Sequence, residues 1–216
     1  MINTSELIEV LVSDARPVRR LLPPLLRAAL WLMAPVSVFA LLALGQGVRP
    51  DLAQQLREPA FVLGTAASLA TGVLAAVASF MLNLPDRSRH WGWLPVPTLV
   101  LWIAAVGQGC LMHWVDIGPG GVQLGESARC LTTVLVTSLP LSLTLFAMLR
   151  HGSLLRANSV TLTASLAVAA MSATAISFFH SIDASVMILI TNLGTAALIV
   201  VIGSLFGRRV ASSGGL

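Results

Sequence analysis

The chain has no lysine; all 13 of its basic residues are arginine. Charged residues of both signs make up only 10% of it, against about 25% in a soluble globular domain. So few charges cannot coat a water-facing surface, and lipid is the natural surrounding. Cysteine is nearly absent too. Cys110 and Cys130 are the only two, which excludes a disulfide framework. No acid or base lies in the middle of any long apolar run, where proton-coupled carriers and many pumps place one. The chain also lacks His-Glu-x-x-His, Gly-x-Ser-x-Gly and a phosphate loop. A catalytic role therefore has no residues to rest on, and no cofactor is implied.

What is present is apolar. Hydrophobic types make up 56% and the mean hydropathy is +0.87. Six segments approach the roughly 20 apolar residues that a helix needs to cross a bilayer: 27–45, 60–83, 95–114, 130–149, 160–180 and 184–207. They are continuously apolar rather than alternating, which argues for helices and against a barrel. Arginine placement sets the orientation. Arg16, Arg19, Arg20, Arg27, Arg87, Arg89, Arg150, Arg156, Arg208 and Arg209 fall on one side, and Arg49, Arg57 and Arg129 on the other. The ten-to-three ratio puts both termini inside. The expected fold is an all-α membrane protein with six transmembrane helices, N-in/C-in. The pI near 10.9 follows from the same arginines; they gather at segment ends and do not imply direct nucleic-acid contact. The start of the chain is acidic and lacks a small-residue cleavage site, so the first apolar segment is expected to stay.

Pro35 and Pro140 fall inside the first and fourth segments and are expected to kink them. Gly64, Ser68 and Gly72 repeat every four residues, as do Ser165, Ala169, Ala173 and Ser177. Such ladders let helices approach closely, within one bundle or between copies in a homo-oligomer. Trp91, Trp93 and Trp114 suit the membrane interface. Asn192 is the main strongly polar residue near a midplane and suits an interhelical hydrogen bond.

Two clusters stand out. At the N-terminus, Asn3-Thr4-Ser5-Glu6 has the form of a capping box. Leu7, Ile8, Leu11 and Val12 then share one helical face, while Glu6, Glu9 and Ser13 point elsewhere. Pro17 ends or bends this short amphipathic helix, and Arg16, Arg19 and Arg20 join it to the membrane. Its apolar face needs a partner, because so short a helix is marginal in water. A surface-lying helix usually carries basic residues on its polar face; this one carries Glu6 and Glu9, which favours a groove on another protein. On the opposite side, Cys110, His113, Cys130 and His180 fall near helix ends. They can serve as soft metal ligands, as a thiol pair, or as buried packing and interface residues.

Further short motifs carry a family resemblance over nearly the whole length. Leu7 to Arg20, with Pro17-Val18, is a leucine-rich helix followed by Pro-Val and arginines. Gly47-Val48-Arg49-Pro50-Asp51-Leu52 reads Gly-x-Arg-x-Asp-Leu. Cys130 opens the fourth helix, Arg150-His151-Gly152 follows it, and Gly203 to Arg209 closes the chain. The chain resembles the NrsF-like membrane anti-sigma factors, which hold an extracytoplasmic-function sigma factor inactive. The resemblance implies that residues 1–25 are a cytoplasmic sigma-binding segment, with Leu7, Ile8, Leu11, Val12, Arg16, Pro17 and Val18 in contact. Residues 26–210 are then the transmembrane domain and 211–216 a disordered tail. It implies an outer-face sensor of metal or oxidant around Cys130 and His180, with Cys110 and His113 nearby. The family often has a second cysteine after the histidine that ends helix 5; here Ser181 follows His180. Two rival readings are a small transporter or efflux protein, and a scaffold subunit of a membrane complex.

Overall fold

A computed structural model describes residues 4–13, 22–113, 124–150, 157–179 and 201–202. Most of these residues are helical, with no strand among them. In chain order the helices are α1 (Thr4–Ser13), α2 (Pro24–Gln46), the short α3 (Leu52–Gln55), α4 (Pro59–Leu82), a 3₁₀ turn at Arg89–Trp93, α5 (Val96–His113), α6 (Leu124–Leu149) and α7 (Ala157–Phe179).

The long helices begin where local chemistry lets them. Pro24 and Pro59 each occupy a first helical position, where a missing N–H costs nothing and the fixed φ suits the helix. Both α2 and α6 run on through Pro35 and Pro140. Next to Pro140, the Thr144 hydroxyl donates to the Pro140 and Leu141 carbonyls at 2.8 and 3.0 Å.

Among the described residues, four helices are long and apolar enough to cross a membrane: Pro24–Gln46, Pro59–Leu82, Thr132–Leu149 and Asn158–Phe179. They coincide with the first, second, fourth and fifth expected segments. The expected count of six is therefore met only in part. The third segment forms α5, Val96–His113, which is not among these four. The sixth, 184–207, lies outside the described residues except for 201–202.

Helix boundaries differ from the hydropathy limits at one place that matters. α6 starts at Leu124, six residues before the apolar run at 130, so Cys130 does not open the helix. Leu124-Gly125-Glu126-Ser127-Ala128-Arg129 forms helix without being apolar. Hydropathy marks the part of a helix that sits in hydrocarbon, while hydrogen bonding carries the helix beyond it.

Packing centres on α4 and α7, the most extensive helix pair, with α5, α6 and α2 around them. Both small-residue ladders are used inside the chain. A Cβ on Gly72 would lie 2.9 Å from the Met171 Cε, and one on Gly64 would lie 3.7 Å from the Ala105 Cβ. Ser68 and Thr174 share a hydroxyl hydrogen bond of 2.9 Å between α4 and α7. Thr137 donates to Ser172 at 3.3 Å between α6 and α7. The core cluster gathers Ala28, Trp31, Ala75, Phe80, Leu141, Leu145 and Met171. Contacts at the helix ends show that α2 and α7 run in one direction and α4 and α6 in the other.

Candidate functional site

Three places bear on function: the N-terminal helix and the two ends of α2.

At the N-terminus, α1 covers Thr4–Ser13. Ile8 and Val12, one turn apart, are 56% and 68% exposed. Leu7 and Leu11 belong to the same helix by backbone. None of the extensive helix pairings among the described residues involves α1. Arg16, Pro17 and Val18 lie outside the described residues.

The start of α2 corrects an expectation. Arg27 was expected ahead of the membrane helix. Instead it lies inside α2 and is only 5% exposed. Its Nη2 donates to the Met148 carbonyl, and its guanidinium lies 5.1 Å from the centre of the Phe80 ring. Its Nη1 meets no partner among the described residues. Asn83 donates to the neighbouring Leu149 carbonyl at 3.1 Å. The last carbonyls of a helix have no partner within it. At the end of α6, two of them are taken by side chains from α2 and from the cap of α4. One turn further along α2, the Trp31 indole donates to the Leu141 carbonyl at 3.3 Å.

The other end of α2 carries the Gly-x-Arg-x-Asp-Leu stretch. Gly47 ends the helix with φ +74° and ψ 162°, a conformation essentially restricted to glycine. The chain then turns so that Arg49 points inward, 8% exposed. Its Nε and Nη2 donate to the two carboxylate oxygens of Asp51 at 2.7 and 2.6 Å, a bidentate pairing. Its Nη1 donates to the Ser177 carbonyl at 3.5 Å. Its backbone N–H donates to the Phe178 carbonyl at 3.2 Å. The guanidinium also lies 5.7 Å from the Phe61 ring centre. One residue thus ties the loop after α2 to α3, α4 and the end of α7.

The Arg49 guanidinium, hydrogen-bonded to it, holds the Asp51 carboxyl down to about 2, below the usual carboxylate range near 3.9. The sign follows. The pair's stabilisation is complete above the unfolded value and is lost as pH falls through about 2. We expect wild type and Asp51→Asn to differ in thermal midpoint by a constant amount between about pH 7 and 5. The difference should shrink towards zero below about pH 4. A difference that disappears between pH 7 and 5 would contradict the pairing.

The expected sensor cluster is placed only by backbone. Cys110 and His113 lie in the last turns of α5, and Cys130 lies about two turns into α6. His180 is outside the described residues. No group of three or more metal-ligating side chains occurs among the described residues. Sequence reasoning missed the burial of Arg27 and Arg49. A signal for Arg49 was available: one of only three arginines on the arginine-poor side, with an aspartate two residues on, just after a helix-ending glycine.

The NrsF family model, described as negative regulator of sigma F, matches residues 11–212. The match begins at Leu11, so Leu7 and Ile8 precede it. No curated protein and no solved structure matches the chain.

Proposed function

The chain belongs to the NrsF family, negative regulators of a sigma factor, and from that premise we propose that it is a membrane-embedded anti-sigma factor with a cytoplasmic hook. It crosses the bacterial inner membrane six times, with α5 and segment 184–207 supplying two crossings beyond the four apolar helices. Both termini lie in the cytoplasm, where ten of the 13 arginines gather. The partner is an extracytoplasmic-function sigma factor.

The observation that carries the reading is the exposure of Ile8 and Val12 on α1. An amphipathic helix lays such residues into an apolar groove. The core-polymerase-binding surface of a sigma factor is rich in apolar groups, and covering it blocks polymerase. Leu7 and Leu11 extend the face, and Arg16, Pro17 and Val18 continue the contact. Release follows an outer-face signal, metal or oxidant, felt around Cys130 and His180, with Cys110 and His113 nearby. Cys130→Ser then alters the response. An unchanged response leaves Cys130 as packing.

The test is co-purification of a sigma factor with the full-length chain, followed by the double variant Ile8→Asp, Val12→Asp. Each buried aliphatic side chain contributes about 2 kcal/mol. The double variant should therefore weaken binding by about a thousandfold. Equal retention of the sigma factor would refute the hook, and the lack of any co-purifying sigma factor would refute the reading as a whole.

A further inference from the structure

We infer that Arg49 is a positioning residue that fastens α2 to the end of α7, so that a change at that end of α7 is carried along α2 to the N-terminal hook. The sigma-factor part of this inference rests on the reading above; the mechanical part does not.

Arg49 takes two of the four carbonyls that α7 cannot satisfy within itself, those of Ser177 and Phe178. A guanidinium at a helix C-terminus is also favoured by the helix dipole. Asp51 holds the guanidinium by both oxygens, which fixes the fork. Phe39 of α2 meets Phe179 of α7 edge-on, with ring centres 6.5 Å apart, so the same two helices touch beside the fastening. α2 and α7 share little other surface, and the larger contacts of α2 are with α4 and α6. Apolar contact between helices has no hydrophobic driving force in lipid, and polar links carry more of the specificity.

At its far end α2 is held to another helix. Arg27 and Trp31 donate to carbonyls of α6. α2 is therefore gripped to α7 at one end and to α6 at the other, and residues 14–21 lead from it to α1. His180, one of the expected sensing residues, follows directly after the end of α7. A displacement there reaches Arg49 through two backbone carbonyls, and α2 through Arg49.

A local salt bridge and a grip on α7 make different predictions. Arg49→Gln removes the salt bridge and the guanidinium's bond to the Ser177 carbonyl, and leaves the backbone bond to Phe178 in place. The exchange Arg49→Asp with Asp51→Arg restores opposite charges but places a carboxylate against the α7 carbonyls. Hydrogen exchange of the full chain in nanodiscs, without any sigma factor, reads the mechanical link. Arg49→Gln should raise exchange about tenfold at both ends of α2, including 27–31, and the charge exchange should not restore protection. An effect confined to 47–58, or full rescue by the charge exchange, would overturn the inference. With the sigma factor present, Arg49→Gln should weaken its retention about tenfold while leaving helix content unchanged. Retention equal to wild type overturns the link to the hook. A wild-type chain that holds no sigma factor defeats the anti-sigma reading alone, since the exchange measurement still decides whether Arg49 couples the ends of α2.

Discussion

Replacing Trp31 by alanine is expected to destabilise the bundle by about 3 kcal/mol, the low end of the range for removing a buried tryptophan. Trp31 is 1% exposed and belongs to the core cluster with Ala28, Phe80, Leu141 and Leu145. In water such a loss combines a transfer term with a cavity term. In a bilayer the transfer term largely falls away, because lipid tails are as apolar as the core. The cavity term stays, because the lining atoms lose their dispersion partners outright. Trp31→Phe separates packing from polarity. It keeps most of the volume while losing the bond to Leu141, worth about 0.6 kcal/mol between membrane helices, and the outer part of the indole ring. Unfolding in mixed micelles measures both. If the two variants unfold at the same denaturant concentration, the packing account is wrong.

Gly72→Leu is expected to do still more harm, by forcing α4 away from α7. Even the first added carbon meets the Met171 Cε, Cγ and Sδ at 2.9, 3.1 and 3.2 Å, and Met171 is 1% exposed. Gly72→Ala therefore requires Met171 to repack and should cost about 1–3 kcal/mol, the usual range for overpacking. The added branched carbons of leucine have no comparable escape, so its cost should exceed that range. Met171→Ala opens the space that Gly72→Ala needs. The two changes should therefore be non-additive, with the double variant more stable than the sum of the singles predicts. Strict additivity would show that Gly72 does not face Met171.

The sequence made the helices legible because the bilayer simplifies the code. Long apolar runs can do little else in lipid, so the first, second, fourth and fifth segments fall within a few residues of α2, α4, α6 and α7, apart from the polar start of α6. The close helix approach was legible for the same reason: glycine, serine and alanine at four-residue spacing mark one face of a helix. The roles of Arg27 and Arg49 were not. Both were counted as charges at a membrane boundary, a rule that treats each arginine alone. Whether a guanidinium faces water or a neighbouring helix's unpaired carbonyls depends on residues far away in the chain, here Met148 and Ser177. Whether the expected sensor residues come together stayed illegible for a related reason. Cys110, Cys130 and His180 sit on three different segments, and their spacing along the chain carries no distance between them.

α2 has 23 residues and is therefore about 34 Å long, close to the roughly 30 Å hydrocarbon thickness of a bilayer. With a clamp at each end, it has the properties of a gauge. Its length is set by backbone geometry, while the positions of the α6 and α7 ends are set by how those helices tilt. On the proposed membrane reading, thinning or thickening the surrounding lipid changes that tilt, and the mismatch then falls on the two arginines at the tips of the gauge.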